Sequence, residues 1–331
     1  MGKSQGRIDK AVQLRHVPSA VRRTNGAREL EAPSHWRKPG RRSERMNPSQ
    51  KTGRKTHQGC KARQPYFFLE GVYMENQAIQ NVHCFTEAAR EAVYRAIFSR
   101  RDVRGQFLRE PIPDEVLSRV LLAAHYAPSV GFMQPWNFIV IRSSQVKQRV
   151  HDVFSAANAE AAAMFNGQKR EIYSSLKLEG ILESPLNLCI TCDRERSGSV
   201  VIGRTHIKTM DLYSSVCAVQ NLWLAARAEG LGVGWVSIFD PSRLKETLGI
   251  PRSITPVAYL CLGYVSHFYA KPELETAGWL PRLPVDELVY FDQWSQLAES
   301  DEGLPEHLRQ QQAMVQNQGF DGLRRTGGNL R

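Results

Sequence analysis

The stretch from Met210 to Glu229 limits the possible folds more than any other part of the chain. Leu212, Val216, Val219, Leu222, Trp223, Leu224 and Ala226 cover nearly the whole circumference of a helix there. A helix apolar all round is buried, either at the centre of a domain or in a subunit interface. Gly230-Leu231-Gly232 supplies a left-handed stop. Val233-Gly234-Trp235-Val236-Ser237-Ile238 then reads as a strand whose glycine would let a flat ligand approach the backbone.

The segments needed to cover such a helix lie on both sides of it. Thr86 caps a helix with an apolar stripe at Ala89, Val93 and Ile97, and Pro113-Asp114-Glu115 opens another carrying Val116, Leu117, Val120, Leu121 and Ala124. Residues 137–142, 185–192 and 257–264 are strand-like apolar runs, and a long helix runs from Ser144 to about Phe165. Asp240-Pro241 begins a short helix ending at Leu248-Gly249. Helices and strands alternate without a second break in composition, which predicts one α+β domain over about 84–296. The polar, Gln/Gly-rich stretch 297–331 is expected to be a flexible tail.

Net charge would suggest a nucleic-acid partner if it were spread evenly. The whole +11 sits in residues 1–83, with 17 Lys+Arg against 6 Asp+Glu, and 84–331 is balanced at 27 of each. This first quarter is poor in aliphatic residues and lacks periodicity, so it is expected to be a disordered basic extension. Three readings stay open for it: a nucleic-acid arm, an organelle transit peptide, or upstream sequence joined by a misplaced start, with Met74 the alternative. No aromatics alternate with its basic residues, which weighs against nucleic acid. Cys189-Ile190-Thr191-Cys192 has CxxC spacing but lies in a strand, where residues three apart face opposite sides, so no metal is expected. With no secretory apolar region and no run of 18 apolar residues, a soluble protein of a reducing cytoplasm is expected, away from membranes.

Two segments carry candidate chemistry. In Ser99-Arg100-Arg101-Asp102-Val103-Arg104 three guanidiniums crowd one carboxylate at the end of the first helix, a density that suits a phosphate. The competing reading is a solvated helix end complementing the dipole, with Asp102 a structural partner of Arg101 or Arg104. Beside arginines, Asp102 should stay ionised and serve as a base or proton relay. The second segment, Ala127-Pro128-Ser129-Val130-Gly131-Phe132-Met133-Gln134-Pro135-Trp136, has two prolines and a glycine and must be a shaped loop leading into a strand. Residues 167–181, read as helix and turn, form an excursion between two core elements long enough for a lid, with Met164 and Phe165 just before it as candidates to close it or to join the core.

Taken in order, the basic cluster, the Pro-Ser-x-x-x-x-Gln-Pro-Trp loop, the Gly-Val-Gly-Trp strand and the late Arg282-Leu283-Pro284 resemble the flavin-binding nitroreductase family over about residues 85–294. The likeness is tightest to its 5,6-dimethylbenzimidazole synthase branch, through Arg100-Arg101-Asp102-Val103-Arg104, the 127–136 loop and Gly234-Trp235-Val236-Ser237-Ile238-Phe239. General nitroreductases usually have serine at Asp102 and asparagine at Phe132.

The resemblance implies a central mixed or antiparallel sheet flanked by helices, in a homodimer that binds FMN at its interface. It implies an oxidoreductase using O2 to fragment reduced FMN, a consumed substrate, into dimethylbenzimidazole and erythrose 4-phosphate. Arg100, Arg101, Arg104 and Arg282 would hold the phosphate, with Val103, Ser129, Gly131, Gln134 and Met164 completing the flavin site. Asp102 and Ser237 would be catalytic, Gly131 leaving space over the ring for oxygen. No GxGxxG follows a strand, so reduced FMN would arrive free or from a separate NAD(P)H flavin reductase. Alternatives are an NAD(P)H-dependent nitroreductase or flavin reductase that keeps its FMN and, in another class, a non-catalytic flavin carrier or RNA-associated protein.

Overall fold

A computed structural model describes residues 85–297 and 303–319; the expectations for 1–83 lie outside the described residues. Helices α1 (Glu87–Ser99) and α2 (Asp114–His125) precede strand β1 (Trp136–Ile141). Then come α3 (Ser144–Ala163), α4 (Gly167–Ser175), β2 (Leu186–Asp193), α5 (Met210–Ala228), β3 (Leu231–Val236), α6 (Pro241–Leu248) and β4 (Ile254–Tyr264). A single turn, α7 (Glu273–Thr276), and a last helix, α8 (Leu304–Gln318), follow.

The four strands pair antiparallel in the order β1-β2-β4-β3. Both faces of this sheet are covered, which is why its strands read as continuous apolar runs rather than alternating ones. Leu186, Leu188, Ile190, Ala258, Leu260 and Leu262 point to one side and meet α2 and α5 through Val120, Ala124, Val219 and Leu222. Cys189, Tyr259 and Cys261 point to the other and meet α3 and α6 through Val150, Phe154 and Leu244. Each fully buried leucine or valine contributes about 1.5–3 kcal/mol. The two cysteines of the CxxC face opposite sides as expected: Cys189 packs toward α3, while Cys192 has Ser215 of α5 as hydrogen-bond partner. Burial pushes the Cys189 thiol up to about 12, as befits a small hydrophobe.

The apolar helix α5 is only half covered within one chain. Ala218, Val219, Leu222, Trp223 and Ala226 enter the core, whereas Tyr213, Val216 and Cys217 form an exposed stripe along the opposite side. Helix α1 adds exposed Val93, Tyr94 and Ile97 and has no buried residue.

A buried ionic knot fixes the start of α5. Asp211 Oδ2 accepts from Arg204 Nη1 at 2.8 Å and Arg194 Nε at 3.1 Å, and its Oδ1 accepts from the Leu212 amide at 2.8 Å. Burial works against the charged form, but the bonds from Arg194, the Leu212 amide and Arg204 outweigh it and hold the carboxyl below the usual range. A depressed carboxylate stabilises the fold above its unfolded pKa of about 3.9, and that contribution is lost as pH falls toward the folded value. Asp211→Asn is therefore expected to cost about 1.5–3 kcal/mol near neutrality and less in acid. Urea unfolding across pH measures this, and an equal loss at every pH would refute it.

The expectation of a flexible tail does not hold for residues 303–319. Pro305 in the first turn suits a helix start, and the helix is tied to the preceding segment by the Arg309–Asp286 ion pair at 3.0 Å. The polarity that suggested a loose end is the exposed face of a helix held by polar contacts.

Candidate active site

The basic segment does not simply end α1; it is laid against the sheet. Val103 N–H donates to the Val233 carbonyl at 3.0 Å, and Asp102 pairs with Val233 in a parallel bridge beside β3. The glycines of β3 make this possible. A Cβ on Gly234 would lie 2.0 Å from the Val103 carbonyl oxygen, and one on Gly232 would lie 2.4 Å from Val265 and 3.0 Å from Val103. The approach that Gly234 permits is therefore filled by the chain's own backbone, not left open to a flat ligand. Val103 is buried and serves this docking.

Docking aims Asp102 along β3. Its Oδ1 accepts from Trp235 N–H at 2.9 Å, and its Oδ2 accepts from Arg104 Nη2 at 2.6 Å, leaving 32% of the side chain exposed. Arg104 is buried between Asp102 and Glu273 of α7, to which Nη1 donates at 3.2 Å. Two carboxylates thus occupy the guanidinium that the sequence reading gave to a phosphate. Arg104 orients Asp102 instead. The arginines are not the largest influence on the Asp102 carboxyl. Burial raises its pKa, outweighing the opposing pull of Arg104, the Trp235 amide and Arg100, while Glu273 adds to the rise. Despite the exposed edge, the packed surroundings set the proton affinity.

The remaining arginines, Arg100, Arg101, Arg227 and Arg282, form a cluster that makes no carboxylate ion pair among the described residues. The Arg100 guanidinium lies 4.8 Å above the Trp223 ring, which sits 6.2 Å from the ring of Trp235. Arg101 donates to the carbonyls of Phe98 at 2.8 Å, Arg100 at 2.7 Å and Ala270, yet its buried Nε has no partner among the described residues. Arg227, in the last turn of α5, donates to the Ser99 carbonyl at 3.4 Å and covers Phe268 at 4.1 Å. Burial lowers the pKa of Arg100, and Arg282 adds to this against the pull of Asp102. For Arg101, burial comes first, then repulsion from Arg100, Arg282 and Arg227, with Glu275 opposing. A cluster in which neighbouring guanidiniums disfavour the charge of Arg100 and Arg101, the latter with an orphaned N–H, is suited to an anion of high charge density. Arg227 and Trp223 escaped the sequence reading. In sequence they look like a dipole-complementing residue and a core aromatic, and only the docking of the basic segment joins them to the site.

The second segment lies elsewhere. Gly131, Phe132 and Gln134 have positive φ of 54°, 53° and 45°, an uncommon conformation for a bulky residue. Ser129 Oγ accepts from Gln134 N–H at 3.1 Å, and Ser214 Oγ of α5 accepts from Val130 N–H at 3.1 Å. Arg196 Nη1 donates to the carbonyls of Gln134 at 2.6 Å and Trp136 at 3.0 Å. These bonds hold the loop in its strained shape and present Phe132, 82% exposed, to solvent. Gly131 does not open space above its backbone: a Cβ would lie 2.4 Å from Val201 Cγ1. The glycine serves the turn and the close passage of residues 201–202.

Within one chain the loop and the arginine cluster stand apart. Ser214 and Arg227 are 13 residues apart on α5, a span of about 20 Å. Ser237 lies just past the end of β3, exposed and with no side-chain hydrogen bond among the described residues. Met164 is 77% exposed at the end of α3, and Arg282 is exposed but near enough to act on Arg100 and Arg101. Of the two lid candidates, Phe165 packs on Tyr173 and Trp279 at 4.9 and 5.2 Å, joining the excursion to the segment that carries Arg282. Among the described residues no group of His, Cys, Asp and Glu could hold a metal, and no helix is long and apolar enough to cross a membrane.

Residues 97–264 match the model of the nitroreductase family. The 5,6-dimethylbenzimidazole synthase of Rhodospirillum rubrum is 42% identical over 185 residues, 56% of this chain and 87% of that protein. A Rhodobacter capsulatus protein of the same name is 36% identical over 202 residues, 61% of this chain and 97% of that one. An NADH dehydrogenase of Thermus thermophilus is 27% identical over 177 residues, 51% and 84% of the two chains. The matched region takes in the docked basic segment, the strained loop, the whole sheet and α5, and the chain belongs to the nitroreductase family, in its 5,6-dimethylbenzimidazole synthase branch.

Proposed function

We propose that this protein fragments reduced FMN with O2, releasing 5,6-dimethylbenzimidazole and erythrose 4-phosphate. The observation that carries the reading is Asp102 itself. The residue that sets this branch apart from general nitroreductases is a carboxylate of raised proton affinity, fixed by the Trp235 amide and Arg104 beside an arginine cluster. Bound reduced FMN would supply both the carbon skeleton and the electrons.

The residues divide the remaining work. Arg100, Arg101 and Arg282, with Arg227, hold the phosphate; the orphaned Nε of Arg101 and the repulsion it feels from Arg100, Arg282 and Arg227 both favour a dianion. Asp102 holds and releases a proton at its carboxylate, where a pKa moved toward neutrality improves both directions of transfer. Ser237, whose exposed hydroxyl lies just past the strand end, assists bond cleavage. Ser129, Gly131, Gln134 and Phe132 act from a second copy of the chain. This is supported by the ~20 Å of α5 separating them from the arginines, and by the exposed apolar stripes of α1 and α5, which a homodimer would bury. Met164 shields the site from water. Unpaired Cys189, Cys192, Cys217 and Cys261 fit a reducing cytoplasm, with reduced FMN delivered free or by a separate reductase.

Aerobic incubation with chemically reduced FMN tests the proposal. Dimethylbenzimidazole detected by mass spectrometry in proportion to FMN lost is the expected result. NADH oxidation with intact flavin after many turnovers would instead make the protein a flavin reductase, and full turnover by a monomer would remove the homodimer.

A further inference from the structure

We propose that α8 is a clamp that sets the position of Arg282 in the arginine cluster, acting through the side-chain amide of Gln312; the proposal rests on the reading of that cluster as the FMN phosphate site. Arg282 lies between Pro281 and Pro284 on an exposed segment outside any helix or strand. Among the described residues, the main chain from Leu280 to the Val285 amide makes two hydrogen bonds, and both go to Gln312. Its Nε2 donates to the Leu283 carbonyl at 3.0 Å, and its Oε1 accepts from the Val285 amide at 2.6 Å. One amide thus spans Pro284, copying with a side chain the paired donor and acceptor of a neighbouring strand. Arg309, three residues earlier on α8, holds the next residue along through the Asp286 ion pair at 3.0 Å.

The consequence for Arg282 is preorganisation. The prolines restrict φ on either side and offer no amide of their own. Once the 283 carbonyl and the 285 amide are fixed, the stem of Arg282 leaves the backbone in one direction. That direction brings its charge close enough to Arg100 and Arg101 to disfavour theirs. Without the clamp, ordering the segment would be charged against each binding event. Helix α8 and Arg282 both lie beyond residues 97–264, the region that matches the family model. Gln312 is a positioning residue; it needs both an acceptor and a donor, which alanine lacks entirely and glutamate half lacks.

Titrating the full-length chain with oxidised FMN and with riboflavin, followed by flavin fluorescence, tests the clamp. Gln312→Ala is expected to weaken FMN binding roughly three- to tenfold, as the loss of one or two hydrogen bonds implies, and to leave riboflavin, which lacks the phosphate, unchanged. Gln312→Glu should fall between. Adding Gln312→Ala to Arg282→Ala should weaken FMN no further than Arg282→Ala alone, because the clamp acts only through that arginine. Equal losses for the two flavins, additive losses in the double variant, or wild-type FMN affinity in Gln312→Ala would each overturn the clamp while leaving the phosphate site standing. A wild-type chain that binds FMN no better than riboflavin would overturn the phosphate site, and the clamp with it.

Discussion

Asp102→Asn is expected to lower dimethylbenzimidazole formation by about 10²–10⁴-fold, the range for loss of a positioned acid–base group, while FMN binding is kept. The geometry explains both halves of this result. Asparagine can still accept from the Trp235 amide through its oxygen, so the basic segment stays docked on β3. Its NH2 would then face Arg104 Nη2, donor against donor at a contact now 2.6 Å long. Arg104 would turn to its remaining partner, Glu273. Removing a negative charge near Arg100 strengthens the local positive field, so FMN affinity should hold or rise slightly.

The same residue sets the pH dependence. Because burial raises the Asp102 pKa, the carboxylate protonates above the usual range as pH falls. If the ionised form is the working base, activity drops on the acid side earlier than an ordinary aspartate would cause. The residual activity of Asp102→Asn should lack that limb. Retention of product formation within about threefold of wild type would remove Asp102 from the chemistry, since a positioned acid–base group contributes far more.

Gly234→Ala is expected to damage the site as severely through packing alone. Its Cβ would fall 2.0 Å from the Val103 carbonyl oxygen, a backbone atom that cannot rotate away. Either β3 bends or the basic segment lifts from it, breaking the Val103–Val233 hydrogen bond and drawing Asp102 from the Trp235 amide. Overpacking of this kind costs about 1–3 kcal/mol of stability. The larger effect is on turnover, because a displacement near 1 Å can cost about 10²-fold in rate. Steady-state assays beside urea unfolding separate the two effects. A Gly234→Ala protein of wild-type stability and activity would mean that the segment is not held as described.

The two substitutions differ in what sequence could reveal about them. The closeness of Asp102 to the arginines was legible, because a carboxylate among three arginines at a helix end is a local pattern, and its pairing with Arg104 was one of the two readings. The role of Gly234 was misread: a glycine in a strand signals close approach, but not by what. Gly131 was misread for the same reason, its space being taken by Val201. Arg104 was counted with its neighbours because spacing cannot show that Glu273, 169 residues away, would claim it. Arg227 and Gln312 were missed because each lies on a helix whose sequence carries no mark of the partner it meets.

By itself the sequence determined the succession of helices and strands from α1 to β4, though not α8, since hydrophobic periodicity and proline and glycine punctuation act over a few residues. It also determined the buried character of the sheet, the opposite facing of the CxxC cysteines and the family motifs. Only the tertiary structure decided which charges were paired and which were left to repel one another. It alone decided that burial would raise Asp102 against its arginine neighbours, and that α8 would reach back to the Arg282 segment. Pairing and desolvation depend on groups far apart in the chain, and their energies exist only once folding has brought those groups together and removed water from between them.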